Sequence, residues 1–136
     1  MPSKPTQRCQ KLRPGGTYSG KQGFDYFEGI AKETTGARGI CMHLLTVPPG
    51  GRAKAHLHED HETAIYVLSG TARMYHGHQL EEVMEIEAGD LIYIPPGVPH
   101  LPFNPGDVDS VAVIARTDPH EQESVVLRPD LERMAE

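Results

Sequence analysis

Between Phe24 and Arg116 the apolar positions come in short runs, each closed by glycine, proline or both. Ile40–Val47 is one such run and ends at Pro48-Pro49-Gly50-Gly51. Thr63–Leu68, rich in β-branched and aromatic residues, ends at Ser69-Gly70; Thr71–His76 follows and stops at Gly77-His78. Glu82–Glu87 alternates polar and apolar positions, apart from Val83-Met84. Leu91–Ile94 is stopped by Pro95-Pro96-Gly97, and His100–Phe103 runs into Asn104-Pro105-Gly106-Asp107. Val108–Arg116 is the last strong run, with Val111, Val113 and Ala115 on one face. Apolar runs of this length with this punctuation predict strands, and many of them at regular spacing predict a sandwich or a barrel. No segment before residue 118 sustains a helical period.

The two ends read differently. Residues 1–22 hold Pro2, Pro5, Pro14, Gly15, Gly16 and Gly20, the composition of an extended arm with turns. Residues 119–136 are charged; Ser124–Leu127 suits a short strand and Pro129–Met134 one or two helical turns. The chain therefore divides into an arm (1–22), a β domain (23–118) and a polar tail (119–136). Its 136 residues suffice for one domain with a hydrophobic core.

Composition removes several function classes. The formal net charge of −6 and the lack of any Lys/Arg run argue against nucleic acid and anionic membrane surfaces as partners. No apolar stretch approaches the roughly 20 residues that span a bilayer. Met1-Pro2-Ser3-Lys4 leads into polar sequence without a signal core, so a cytoplasmic protein is expected. Cys9 and Cys41 form neither a disulfide framework nor a zinc knuckle, and Cys41, between Ile40 and Met42, reads as a buried thiol. Phosphate-binding glycine loops and nucleophile elbows are absent, so no nucleotide cofactor is indicated.

The remaining chemistry is histidine. His56 and His58 are two apart, and in a strand that spacing puts both imidazoles on one face. A third ligand must come from another strand. His100 is best placed, because Pro95-Pro96-Gly97 sets a sharp turn before it and Pro99 stiffens the residue just ahead. Three neutral imidazoles, with a carboxylate or water, suit one divalent transition metal such as Zn, Fe, Mn or Ni.

These histidines lie in two glycine-framed segments. One is Gly50-x5-His56-x-His58-x3-Glu62, closed by Gly70; the other is Gly89-x5-Pro95-x-Gly97-x2-His100-x3-Asn104. Together they resemble the two motifs of the cupins, over about residues 40–116. The resemblance implies an all-β fold, a double-stranded β-helix (jelly-roll) barrel with the extended N-terminal arm outside it. It also implies a single metal held by His56, His58, Glu62 and His100, and a homodimer in which the arm is available for exchange. One position departs from the pattern. The family's acidic ligand usually sits seven residues before the closing glycine, and Thr63 occupies that place here. Strand parity puts Thr63 with Ile65 and Val67 and turns Glu62 away, unless a bend intervenes. Glu62, His61, and water or substrate all stay open as the fourth ligand. A purely three-histidine shell would resemble the thiol dioxygenase branch of the family.

Tyr66, Arg73, Tyr75, Tyr93, Met42, His43 and Phe103 fall on or near the expected strands, as packing or pocket residues. His76 and His78 read as turn histidines, and Asn104 as a residue that caps its own turn. The reading of function is a metal-dependent enzyme acting on a small polar chelating metabolite: a sugar, sugar acid or hydroxy/keto acid. Isomerase or lyase chemistry is preferred, because small single-barrel relatives resemble sugar isomerases. An Fe-dependent dioxygenase and a non-catalytic metal- or ligand-binding sensor module are the alternatives.

Overall fold

The computed structural model describes residues 8–13, 17–19, 25–120 and 125–135. The expected arm and the start of the tail strand fall partly outside the described residues, at 1–7, 14–16, 20–22 and 124. Eleven strands form among the described residues. They are β1 (Thr17–Ser19), β2 (Asp25–Ile30), β3 (Cys41–Val47), β4 (His56–His58), β5 (Thr63–Ser69) and β6 (Thr71–His76). β7 (Glu82–Glu87), β8 (Leu91–Ile94), β9 (His100–Phe103), β10 (Ser110–Arg116) and β11 (Val125–Leu127) complete the set. A single-turn helix, α1 (Lys32–Thr35), follows β2, and a 3-10 helix spans Pro129–Ala135. Helix α1 is too short to show a period; Gly36, left-handed at φ 80°, ends it. Among the described residues, no helix is long and apolar enough to cross a membrane.

The strands form two antiparallel sheets, ordered β1-β2-β3-β10-β5-β8 and β11-β4-β9-β6-β7. From β3 onward the chain changes sheet at nearly every turn. β3, β5, β8 and β10 belong to the larger sheet; β4, β6, β7, β9 and β11 belong to the smaller one. This is the double-stranded β-helix, but the expected barrel is not formed. Every ladder lies within one sheet, and no strand pair joins β8 or β1 to β7 or β11 among the described residues. Closure needs hydrogen bonds between those edges. Here the two sheets are held together by side chains between them, as in a sandwich.

The interior follows the strand period. Cys41, His43, Leu45 and Val47 of β3 point inward, as do Ile92 and Ile94 of β8. Val67, Met74, Ile86, Ile92 and Ile94, drawn from both sheets, make the largest buried cluster. The two faces of β10 follow the same period. Ser110, Ile114 and Arg116 are the buried set, while Val111, Val113 and Ala115 lie on the outer face, only partly covered. The three share one face, as their alternation predicts, and that outer face is itself apolar.

Two turn residues hold the sandwich in register. Gly70, at φ 79°, lets the chain pass from β5 to β6; a Cβ there would overlap the Asp109 carbonyl. Asn104 is fully buried, and its Nδ2 donates to the carbonyls of Val47 and Val108, both at 2.8 Å. Its Oδ1 accepts from Gly106 N at 2.9 Å, the expected turn cap. It therefore also ties the end of β3 to the loop that enters β10.

Candidate metal centre

β4 and β9 are neighbours, and the register places His56 opposite His100. His58 stands two residues along the same face of β4, and the three imidazoles are each 3% exposed. Ring centroids are 4.3 Å apart for His56 and His100, 5.2 Å for His56 and His58, and 5.5 Å for His58 and His100. One ligand nitrogen from each lies within 4.8 Å of the others. Among the described residues no other group of three metal-type side chains meets in this way. β11 backs this strand, with Val125 opposite His58 and Leu127 opposite His56.

The donor set fits a divalent ion. His56 Nδ1 lies 2.7 Å from the Lys54 carbonyl and His100 Nδ1 lies 3.0 Å from that of Val98. A carbonyl only accepts, so both Nδ1 atoms carry the proton and each Nε2 keeps its lone pair for a metal. Burial holds all three rings neutral, which is the form a metal binds. His56 and His58 are pushed well below the usual imidazole range, and His100 down to about 4, in each case mainly by desolvation. His43, buried on β3, falls to about 3 for the same reason. The nearby Arg116 charge adds to the lowering of all four. The cluster is a site for one divalent transition metal.

The structure does not bring Glu62 to this cluster. Glu62 is exposed, and its Oε2 accepts from Tyr93 Oη at 2.5 Å on the outside of the larger sheet. Its backbone N–H donates to Thr117 Oγ1 at 2.9 Å, and its carbonyl accepts from Thr117 N at 3.1 Å. A bend does lie between β4 and β5, with Asp60 left-handed at φ 60°, but it returns the chain with Thr63 inward and Glu62 outward. His61 also stands apart, its Nδ1 3.7 Å from Asp118 Oδ2. Among the other expected pocket residues, Tyr66, Tyr93 and Met42 are exposed, and Arg73 pairs with Glu85 at 2.6 Å. Tyr75 and Phe103 pack against Leu80 and Leu101. His76 is half-buried and His78 exposed.

The imidazoles face a cavity of about 70 Å³ between the sheets. Its walls are mostly apolar, from Leu45 and Val67 to Met74 and Ile86. The polar lining besides the histidines is Thr63, Ser110 and Arg116. Sequence reading passed over Arg116; its parity with Ile114 and Ser110 was the available signal.

Comparison with known proteins agrees with this geometry. The model of the cupin domain matches residues 43–115, more than half of the chain. The chain belongs to the cupin family. An uncharacterised protein of Methanocaldococcus jannaschii is 34% identical to this cupin over 77 residues, covering 57% of this chain and 59% of that one. A solved structure from Acidithiobacillus ferrooxidans, of a proposed sugar phosphate isomerase, superposes with a TM-score of 0.56 at 25% identity. That match covers 68% of this chain and 58% of the other. Oxalate decarboxylase of Lactobacillus farciminis, solved as its formate complex, gives a TM-score of 0.69 at 20% identity, over 82% of this chain and 33% of that enzyme. The cupin thus spans less than two thirds of the length of each of these three proteins.

Proposed function

We propose that this cupin is a metal-dependent enzyme acting on a small polar chelating metabolite, with lyase or isomerase chemistry at a metal held by His56, His58 and His100. The observation that carries the reading is the open side of the histidine cluster. The three imidazoles face a cavity, and among the described residues no fourth protein ligand joins them, which supports water or substrate completing the shell. A divalent ion bound there supplies Lewis acidity toward a carbonyl or hydroxyl oxygen. The apolar walls keep bulk water out and strengthen every polar contact made inside.

Cavity size narrows the metabolite. The space beside the imidazoles is about 70 Å³, enclosed mostly by apolar side chains. That favours a short hydroxy or keto acid over a sugar. The names of the A. ferrooxidans and L. farciminis proteins support the same general class by fold analogy. An iron-dependent dioxygenase is the second reading, favoured because no carboxylate joins the cluster among the described residues. A sensor module is disfavoured, because a tight site with no open position would suit it better.

Elemental analysis of untagged protein, purified without added metal, with a metal-edge spectrum, tests the reading. About one zinc, nickel or manganese per chain is the expected result. Iron, together with oxygen uptake in the presence of a short hydroxy acid, would move the assignment to the dioxygenase. Protein that takes up no metal, even when offered it, would sink both.

Pairing of two copies, implied by the family resemblance, is part of the same proposal. The outer face of the larger sheet exposes Met42, Tyr66, Leu68, Leu91 and Tyr93 around edge strand β8, an apolar surface of the kind that marks an interface. Sedimentation is expected to give twice the chain mass of 15.0 kDa. A monomer at micromolar concentration would refute the pairing.

A further inference from the structure

The inward face of the smaller sheet carries a polar row that runs past the metal cluster. In the ladders His56 of β4 stands opposite His100 of β9, His100 opposite His76 of β6, and His76 opposite Glu82 of β7. Residues directly opposite in a ladder share one face, so all four side chains project from the face that carries the cluster. The next row of that face agrees: Pro102, Met74 and Met84 are cross-strand partners, and Pro102 and Met74 line the cavity. Exposure falls along the polar row. Glu82, on the edge strand, is exposed, His76 is half-buried, and His100 and His56 are buried. His76 lies close enough for its charge to be felt at His100.

A buried site needs a way in. A hydrated divalent ion loses water as it passes between apolar walls, and that loss is costly unless protein ligands replace the shell as it is shed. Neighbouring strands lie about 4.8 Å apart, roughly twice a metal–nitrogen bond of about 2.1 Å. An ion between two adjacent side chains of the row can therefore touch both at once. Glu82 offers a carboxylate to the hydrated ion at the sheet edge, and His76 offers an imidazole one strand further in. His100 is the next step and already belongs to the final site. Glu82 and His76 do not gather into a second cluster; among the described residues only His56, His58 and His100 do.

We propose that Glu82 and His76 form the entry track along which a divalent ion reaches His100, a transient binding station outside the final shell. His76 hands the ion over and takes no part in holding it once it is bound. The inference rests on the reading that His56, His58 and His100 hold a metal, and it adds two residues that lie outside both histidine motifs. A residue used only in passage changes rates and not the equilibrium, so its loss must slow uptake and release by the same factor.

The test is stopped-flow uptake of cobalt(II) by metal-free protein at pH 7.5 and fixed ionic strength, followed by visible absorption. Equilibrium affinity is measured separately against a competing chelator. His76→Ala is expected to slow uptake and release together by about 10- to 100-fold, the scale on which loss of a metal-supporting side chain acts, with the affinity unchanged. Glu82→Gln is expected to slow uptake by about tenfold, the low end of what a charged entrance contributes. Glu87→Gln removes the same charge from the other face of β7 and should leave both rates as they are. Wild-type uptake and release in His76→Ala would overturn the proposal. So would weaker binding with unchanged uptake, which would make His76 a ligand of the bound ion. If His76→Ala does not fold, Glu82→Gln decides, because an exposed edge residue can be changed without disturbing the core: it must slow uptake where Glu87→Gln does not. Wild-type protein that takes up no cobalt defeats the metal reading and this inference with it, whereas normal binding at unchanged rates in both variants defeats the inference alone.

Discussion

Metal-stripped protein is expected to lose about 8 kcal/mol of folding stability between pH 7.5 and pH 5. The cause is four buried imidazoles. His43 and His100 are held down to about 3 and about 4, and His56 and His58 well below the ordinary value of 6.5, chiefly by desolvation. In the unfolded chain each takes up a proton near pH 6.5; in the folded chain none does until far lower. The unfolded state therefore binds more protons throughout this window. Stability from these groups is complete above pH 6.5 and is lost as pH falls toward the folded values. Each imidazole contributes about 2 kcal/mol over the interval, and four reach about 8. Domain stabilities are commonly about 5–15 kcal/mol, so a loss of this size brings the protein close to unfolding. Urea midpoints in the presence of a chelator, followed from pH 7.5 to pH 5, measure it. A flat midpoint would mean that the rings are hydrated and the cluster is not a dry site. Added zinc should restore stability at pH 7.5 and progressively less at pH 5, because protons and metal compete for the same lone pairs.

Much of this was legible in the sequence. The runs ending at Gly50-Gly51, Gly70, Gly77 and Gly97 became β3, β5, β6 and β8 with boundaries close to those expected, since alternation and turn residues are local properties. His56, His58 and His100 met because a period of two fixes the first pair and a proline-set turn positions the third. What failed depended on non-local facts. Whether the sheets close is decided by hydrogen bonds between edge strands, and no run of residues encodes that by itself. Alternation put Val111, Val113 and Ala115 on one face of β10, but which face is buried depends on the opposite sheet, because an exposed apolar face carries the same pattern as a buried one. Glu62, by contrast, points outward as strand parity predicts, since the turn at Glu59-Asp60 returns the chain with Thr63 inward. The tail strand β11 gained its place from pairing with β4, a partner far away in sequence.

Replacing His58 with Ala is expected to abolish stoichiometric metal binding while leaving a folded protein at neutral pH. His58 is one of three ligands, and two imidazoles hold a divalent ion far more weakly than three. Loss of supporting contacts alone typically costs 10- to 100-fold in affinity, and loss of a ligand should cost more. In the metal-free state the variant pays for a cavity, about 2–4 kcal/mol by analogy with large-to-small core changes. It also loses one imidazole that resists protonation, which returns about 2 kcal/mol at pH 5. The deficit in urea midpoint against wild type should therefore shrink as pH falls, a signature that a simple packing defect would not give. Glu62→Gln is the control that separates the ligand sets. With its carboxylate on the outer face against Tyr93, it should keep full metal content. His61→Ala should do the same, since His61 faces Asp118 and not the cluster. If His58→Ala retains its metal, the ion is bound elsewhere. If Glu62→Gln loses metal as completely as His58→Ala, the carboxylate must turn inward when the ion arrives. That would require the Glu62–Thr117 backbone contacts to break, and it would make metal uptake a conformational change rather than the filling of a preformed site.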